Sequence, residues 1–448
     1  MIKIITVFAG LIFSYCAFAF SNLIIFGDSL SDVGNLPAAS NPIYRYPPQK
    51  LDDYNADFYI PNSNPVNTSH GAYMVPIASI FNTDKSYQET FVSFLERNKK
   101  YYAVHEPQKS RLYFSSIWNQ YFLADAYQDG LTKSCYLIPS TYLEAHAIHP
   151  STLISINYAW GCAHTDDSCF TTQHKQNSNL ELCTEDSILL ALQNYYKDPA
   201  PHEKKITNVQ IPGMLKQIRE FIIDEQNGKV IVDSSTIYVI WIGGNDLTYN
   251  FDIVKHQHFL KKICALWRII YVTPKHVYEG MNMLINHPKI QAQHIYLFNM
   301  MNARLTPHIS RWPIYEQWAG QMLLGIYNFA LRITVNMINN VYFKGHDVVR
   351  IVPIYDWFNA MAKRTNCATC ENGDFAKLNF KIPTENDRII PACEMSDSAY
   401  YASLISPLQN CKGYMFWNAV HPAMPTQQVL GFLFERFVQK TWHEFDHK

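Results

Sequence analysis

Three short polar strings, far apart in the chain, carry side chains able to do covalent chemistry. Gly27-Asp28-Ser29-Leu30 ends an apolar run, so Ser29 stands on a turn with its hydroxyl exposed. A helix N-terminus beyond such a turn would favour negative charge developing on that oxygen, although a serine there also serves as an ordinary N-cap. Gly243-Gly244-Asn245-Asp246 follows a second apolar run. Its glycines permit tight backbone geometry, and Asn245 can aim an amide donor at a ligand. Phe416-Trp417-Asn418-Ala419-Val420-His421-Pro422 lies just before the last amphipathic segment. Pro422 restrains His421 to extended or turn backbone, which suits an imidazole delivered from a loop; a satisfied surface histidine would read the same way. A fourth polar turn, Asn157 to Thr165, follows Leu153, Ile154 and Ile156. Each string alone reads as a turn. In this order they supply a hydroxyl, an imidazole and an amide donor, the parts needed for acyl transfer through a serine ester.

Such groups must be held by a rigid frame, and the apolar patterning supplies one. Asn22–Phe26, Ser235–Ile242, His294–Asn299 and Val348–Tyr355 are continuous apolar runs of strand length, as expected for strands covered on both faces of a parallel sheet. Between them lie helical stripes: Met214, Leu215, Ile218, Phe221, Ile222; then Leu323, Ile326, Tyr327, Ala330, Leu331, Val335, Ile338; and finally Val429, Leu430, Phe432, Leu433, Phe437. Strands alternating with helices predict a doubly wound α/β domain. Residues 84–150, 165–205 and 363–412 fit this plan poorly and read as insertions on one domain spanning 20–448.

With 37 Lys and Arg against 38 Asp and Glu, the chain has no basic excess for binding nucleic acid through its phosphates. Its 48% hydrophobic content excludes a disordered chain. The 29 Tyr, 26 Phe and 9 Trp exceed what a lean core needs, leaving some to line an apolar site or simply to fill the interior. Lys3 followed by an apolar run and Ala17-Phe18-Ala19 predicts a signal peptide over 1–19, cleaved after Ala19, and hence a secreted or periplasmic protein. Nine cysteines then remain. Cys135, Cys162, Cys169, Cys183 and Cys367, Cys370, Cys393, Cys411 form two quartets read as disulfide clusters of open connectivity, with Cys264 free on a helix. Cys367-Ala-Thr-Cys370 has no second close pair, so no zinc site is expected.

The ordered set resembles the GDSL, or SGNH, hydrolase superfamily. Ile25-Phe-Gly-Asp-Ser-Leu-Ser-Asp-Val-Gly-Asn35 resembles its opening block, Asn157–Thr165 its second, Gly243–Asp246 its third and Phe416–Pro422 its last. Weaker similarity runs through Asn299, Leu305-Thr-Pro307, Tyr327–Leu331 and Ile354-Tyr-Asp356. The Ser-Asp-Val-Gly-Asn extension and the early position of Ser29 are most similar to the secreted bacterial phospholipase A, lysophospholipase and glycerophospholipid:cholesterol acyltransferase branch. The resemblance implies a three-layer α/β/α flavodoxin-like fold with a central parallel sheet. It implies Ser29 as nucleophile, His421 as general base, and an oxyanion hole from the N–H groups of Ser29 and Cys162 with the Asn245 amide. No metal or organic cofactor is implied. The partners would be a phospholipid or lysophospholipid substrate, a sterol as an acyl acceptor, and a membrane surface touched transiently, with no nucleic acid.

Two positions depart from the family pattern. Cys162 stands where a glycine N–H usually donates to the oxyanion; a backbone donor survives the change wherever the residue tolerates the local φ. Asn418 stands where an aspartate usually orients the histidine. A neutral amide can still position the ring but contributes no charge to stabilise the imidazolium, a swap that costs about 10⁴ in turnover in serine proteases. The alternatives are therefore a carbohydrate or small-ester esterase, and a catalytically impaired secreted binding protein.

Overall fold

The computed structural model describes residues 20–32, a small ribbon within 67–72, parts of 118–140 and 154–171, then 210–342, 347–363 and parts of 415–446. Six parallel strands form the central sheet: β1 (Leu23–Gly27), β2 (Leu137–Pro139), β3 (Ser155–Asn157), β4 (Ile237–Trp241), β5 (His294–Phe298) and β6 (Val349–Val352). Their spatial order is β2-β3-β1-β4-β5-β6. Setting aside the short edge strand β2, the other five follow the flavodoxin-like order, with the chain reversing direction on either side of β1. The α/β/α class expected from the sequence is the one observed.

Eight helices matter here: α1 (Trp118–Gln128), α2 (Met214–Gln226), α3 (Gly244–His256), α4 (Phe259–Trp267), α5 (Thr273–Asn286), α6 (Ile314–Met337), α7 (Ile354–Lys363) and α8 (Met424–Asp446). The period-two alternation of the strands sorts them into layers. Phe26 and Tyr238 point to one face, where they meet Phe221 of α2; α5 and α6 complete that layer. Trp241, Tyr296 and Phe298 point to the other face and meet Trp118 of α1 and Phe434 of α8. Much of the aromatic excess is thus core.

Two expectations need correcting. Residues 118–139, inside the stretch read as an insertion, supply a core helix and the edge strand: Trp118, Phe122 and Leu123 are fully buried. The last apolar run does not stay extended to Tyr355; β6 stops at Val352, and the carbonyl of Pro353 accepts the amides of Asp356 and Trp357 as α7 begins. Residues 1–19 and most of 363–412 lie outside the described residues, as do the side chains of both cysteine quartets. Cys264 is free and exposed on α4, as read from the sequence. Among the described residues no helix is long and apolar enough to cross a membrane.

Candidate active site

The turn after β1 projects from the C-terminal edge of the sheet, where ligands bind in open α/β folds. Asp28 closes it, its carbonyl accepting the amides of Ser31 and Asp32 at 3.0 and 3.1 Å. Four side chains from three other segments fix its backbone. Gln217 clamps Gly27 from both sides, accepting from its N–H and donating to its carbonyl at 3.0 Å each. The Trp118 indole N–H donates to Leu30 O, and the Asn119 and Asn157 amides both donate to Ser31 O. Gly27 itself has no room for a side chain, because a Cβ would strike the carbonyl of Trp241 on β4.

Ser29 is held in this turn, and its Oγ lies 2.8 Å from His421 Nε2, although 392 residues separate the two. That contact replaces the N-cap role the sequence left open. Both side chains are nearly buried, at 8% exposure each, so the hydroxyl is not exposed as its turn suggested; the pair lies recessed and largely shielded from water, where electrostatic effects are strong. His421 reaches it from a braced loop. Phe416 and Pro422 form an antiparallel bridge, Phe416 packs on Phe358 of α7, and Thr426 Oγ1 in the first turn of α8 donates to Met415 O at 2.7 Å.

The other sequence-predicted residues divide into those the structure places and those outside it. Asn245 lies in the first turn of α3, at the same sheet edge as Ser29. Its Nδ2 donates to Ala163 O at 2.9 Å, leaving the second amide hydrogen for another acceptor. Gly243 allows the entry to α3: its φ of 113° is left-handed, and a Cβ there would strike the Tyr327 hydroxyl. Cys162 and Asn418 are outside the described residues. The neighbours of Cys162 are nonetheless anchored at this edge: Trp160 N–H donates to Gly27 O, Gly161 N–H to Asp32 Oδ2 at 2.8 Å, and Ala163 O receives Asn245.

Sequence reasoning missed a buried polar group beside the Ser29 turn. Asp246 accepts the amide and the hydroxyl of Thr165, each at 3.0 Å, with His164 Nδ1 at 3.6 Å. Since the Thr165 hydroxyl donates to Asp246, it accepts at 3.1 Å from His276 Nδ1, which fixes the proton of that ring on Nδ1. Asp28 lies alongside, fully buried. Burial pushes its carboxyl up to about 7, with the Asp246 charge adding to the rise and the Leu30 and Gly244 amides and His164 opposing it. The signal was present in the sequence only as two aspartates flanking the key motifs. Their convergence depends on β1 and β4 being neighbours.

The arrangement is a hydroxyl hydrogen-bonded to an imidazole, with an amide donor at the same edge of a parallel sheet. No group of His, Cys, Asp and Glu side chains among the described residues could hold a metal ion. Set against models of known protein families and against curated proteins, the chain matches neither.

Proposed function

We propose that this chain is a secreted serine hydrolase that cleaves or transfers acyl chains of phospholipids or lysophospholipids. The observation carrying this reading is the 2.8 Å contact between Ser29 Oγ and His421 Nε2. A hydroxyl and imidazole brought together from opposite ends of a chain, in a nearly buried recess, have the geometry of an activated nucleophile and its base. His421 takes the Ser29 proton as Oγ attacks the ester carbonyl. The tetrahedral oxyanion is met by the N–H groups of Ser29 and Cys162 and by the free hydrogen of the Asn245 amide. His421 then protonates the departing alcohol, and water or an acceptor alcohol such as a sterol takes the acyl group from Ser29.

Lipid as the substrate class rests on the resemblance of the four blocks to the lipid-acting branch. Asn418 favours one rival reading, a secreted binding protein that has lost turnover. Fatty-acid release from phospholipid separates the two. The wild-type protein should release it and Ser29→Ala should not; equal rates for both would overturn the mechanism, and no release by either would favour the binding protein.

A further inference from the structure

Helices α4 and α5 belong to one helical run. Arg268–Val272 between them forms a π-helical turn, and the residues at both junctions keep right-handed helical backbone. From Phe259 to Asn286 this run is about 42 Å long at 1.5 Å per residue. Its end lies near the start of β5, which spans only about 17 Å. The 14 residues of α5 already match that height, and His276 in its first turn touches Thr165 beside the Asp246 group. Phe259–Val272 therefore overhangs the catalytic edge of the sheet. α6 does the same. Asn339, in the turn just past its C-terminus, ties that end to β6, its Tyr327 hydroxyl reaches Ile242 O at the catalytic edge, and Ile314–Ile326 extends past it. The π turn packs on α6, joining the two overhangs.

This rim is apolar and exposed. Phe259 and Leu260 are each 74% exposed, and Trp267, Trp318 and Met322 more than half. Its charge is one-sided. Lys261, Lys262 and Arg268 lie on α4 and the π turn, which carry no acidic residue, while Lys255 and Lys275 on the flanking helices pair with Glu316 and Glu279. On α6 the acid Glu316 is neutralised by Lys255 at 2.7 Å, and the Arg304 guanidinium lies 4.3 Å over the Trp318 ring. In a chain of net charge −1 this local excess is built in. A helix with Phe, Leu and Trp beside Lys and Arg is the pattern that lies in a bilayer interface, with its apolar side chains among acyl chains and its cations at anionic headgroups.

We infer that the overhanging rim formed by α4, the π turn and the first half of α6 is a docking surface for an anionic phospholipid bilayer, which would bring the Ser29 recess to the lipid. The inference deepens the proposed function and shares its substrate class, but binding can be tested without turnover. Full-length Ser29→Ala protein is sedimented with vesicles of phosphatidylglycerol and phosphatidylcholine in equal parts, and with vesicles of phosphatidylcholine alone. Binding should favour the mixed vesicles and weaken with salt. Changing Lys261, Lys262 and Arg268 together to Gln should lower affinity for mixed vesicles roughly a hundredfold, and Phe259→Ser with Trp267→Ser should lower binding to both. With Ser29 intact, these rim variants should hydrolyse a monomeric short-chain ester at the wild-type rate. Equal binding to both vesicles, or rim variants that bind like the parent, would overturn the inference. So would absent vesicle binding, whether the rim then proves to be a dimer contact by size exclusion or is covered by the chain itself. Absence of soluble-ester hydrolysis by the protein with Ser29 intact would instead strike the enzymatic reading and leave the vesicle result standing.

Discussion

Asn245 is the side chain whose removal most cleanly separates transition-state stabilisation from the rest of the site. One of its amide hydrogens is spent on Ala163 O; the other is the proposed oxyanion donor. Asn245→Ala should lower kcat about 10²–10³-fold with little change in KM, as deletion of a single such donor does elsewhere. Asn418→Asp should raise kcat, because a carboxylate would stabilise the imidazolium that His421 becomes; a fall would show a site organised around the amide. Asp28 gives a pH prediction. Its ordinary carboxyl value is 3.8 and burial lifts it to about 7 in the fold. The folded state therefore prefers the protonated form, and its contribution to stability is complete below pH 3.8 and lost as pH rises through 7. Thermal unfolding should shift to lower temperature between pH 5 and pH 8, and Asp28→Asn should shrink that shift.

The helices and strands that position these residues were legible where the apolar pattern was strong. The runs at 22–26, 235–242 and 294–299 became central strands because each is covered on both faces. The stripe at Met214, Leu215, Ile218 and Phe221 became the buried face of α2. α1 was missed because Trp118, Phe122, Leu123 and Ala126 lie in a Tyr-rich, polar stretch, and β2 because three residues carry no periodicity. The hydroxyl, imidazole and amide of the site could be named from their strings. The Asp246, Thr165 and His276 group could not, since its contacts cross 81 and 111 residues and exist only once the layers assemble. Two element-scale changes test this packing. Gly243→Ala, at a φ of 113° and against the Tyr327 hydroxyl, should destabilise by about 1–3 kcal/mol in thermal unfolding and slow turnover by displacing Asn245. On α8, Glu435 is wholly buried beside Asp125 of α1, and burial holds its carboxyl well above the usual value of 4.5. Its stabilising contribution also fades as pH rises, so Glu435→Gln should unfold at higher temperature than wild type at alkaline pH, with the gain shrinking toward pH 4.

At the scale of the whole molecule, one topological fact converts scattered motifs into a site. β1 pairs with β3 on one side and β4 on the other, so the turns following these three strands, holding Ser29, the 157–165 block and Asn245, open at one edge. The loop ahead of α8 brings His421 to the same place from the far end of the chain. The two helical overhangs rise from that edge as well, which links the recess to the apolar, basic rim. Reaction of the purified protein with a fluorophosphonate, read by intact mass and peptide mapping, asks whether Ser29 is a nucleophile activated by His421. The wild type should carry a single adduct on Ser29, Ser29→Ala none, and His421→Ala should label much more slowly. A wild-type protein that stays unlabelled, or one labelled equally well after His421 is removed, would contradict that role.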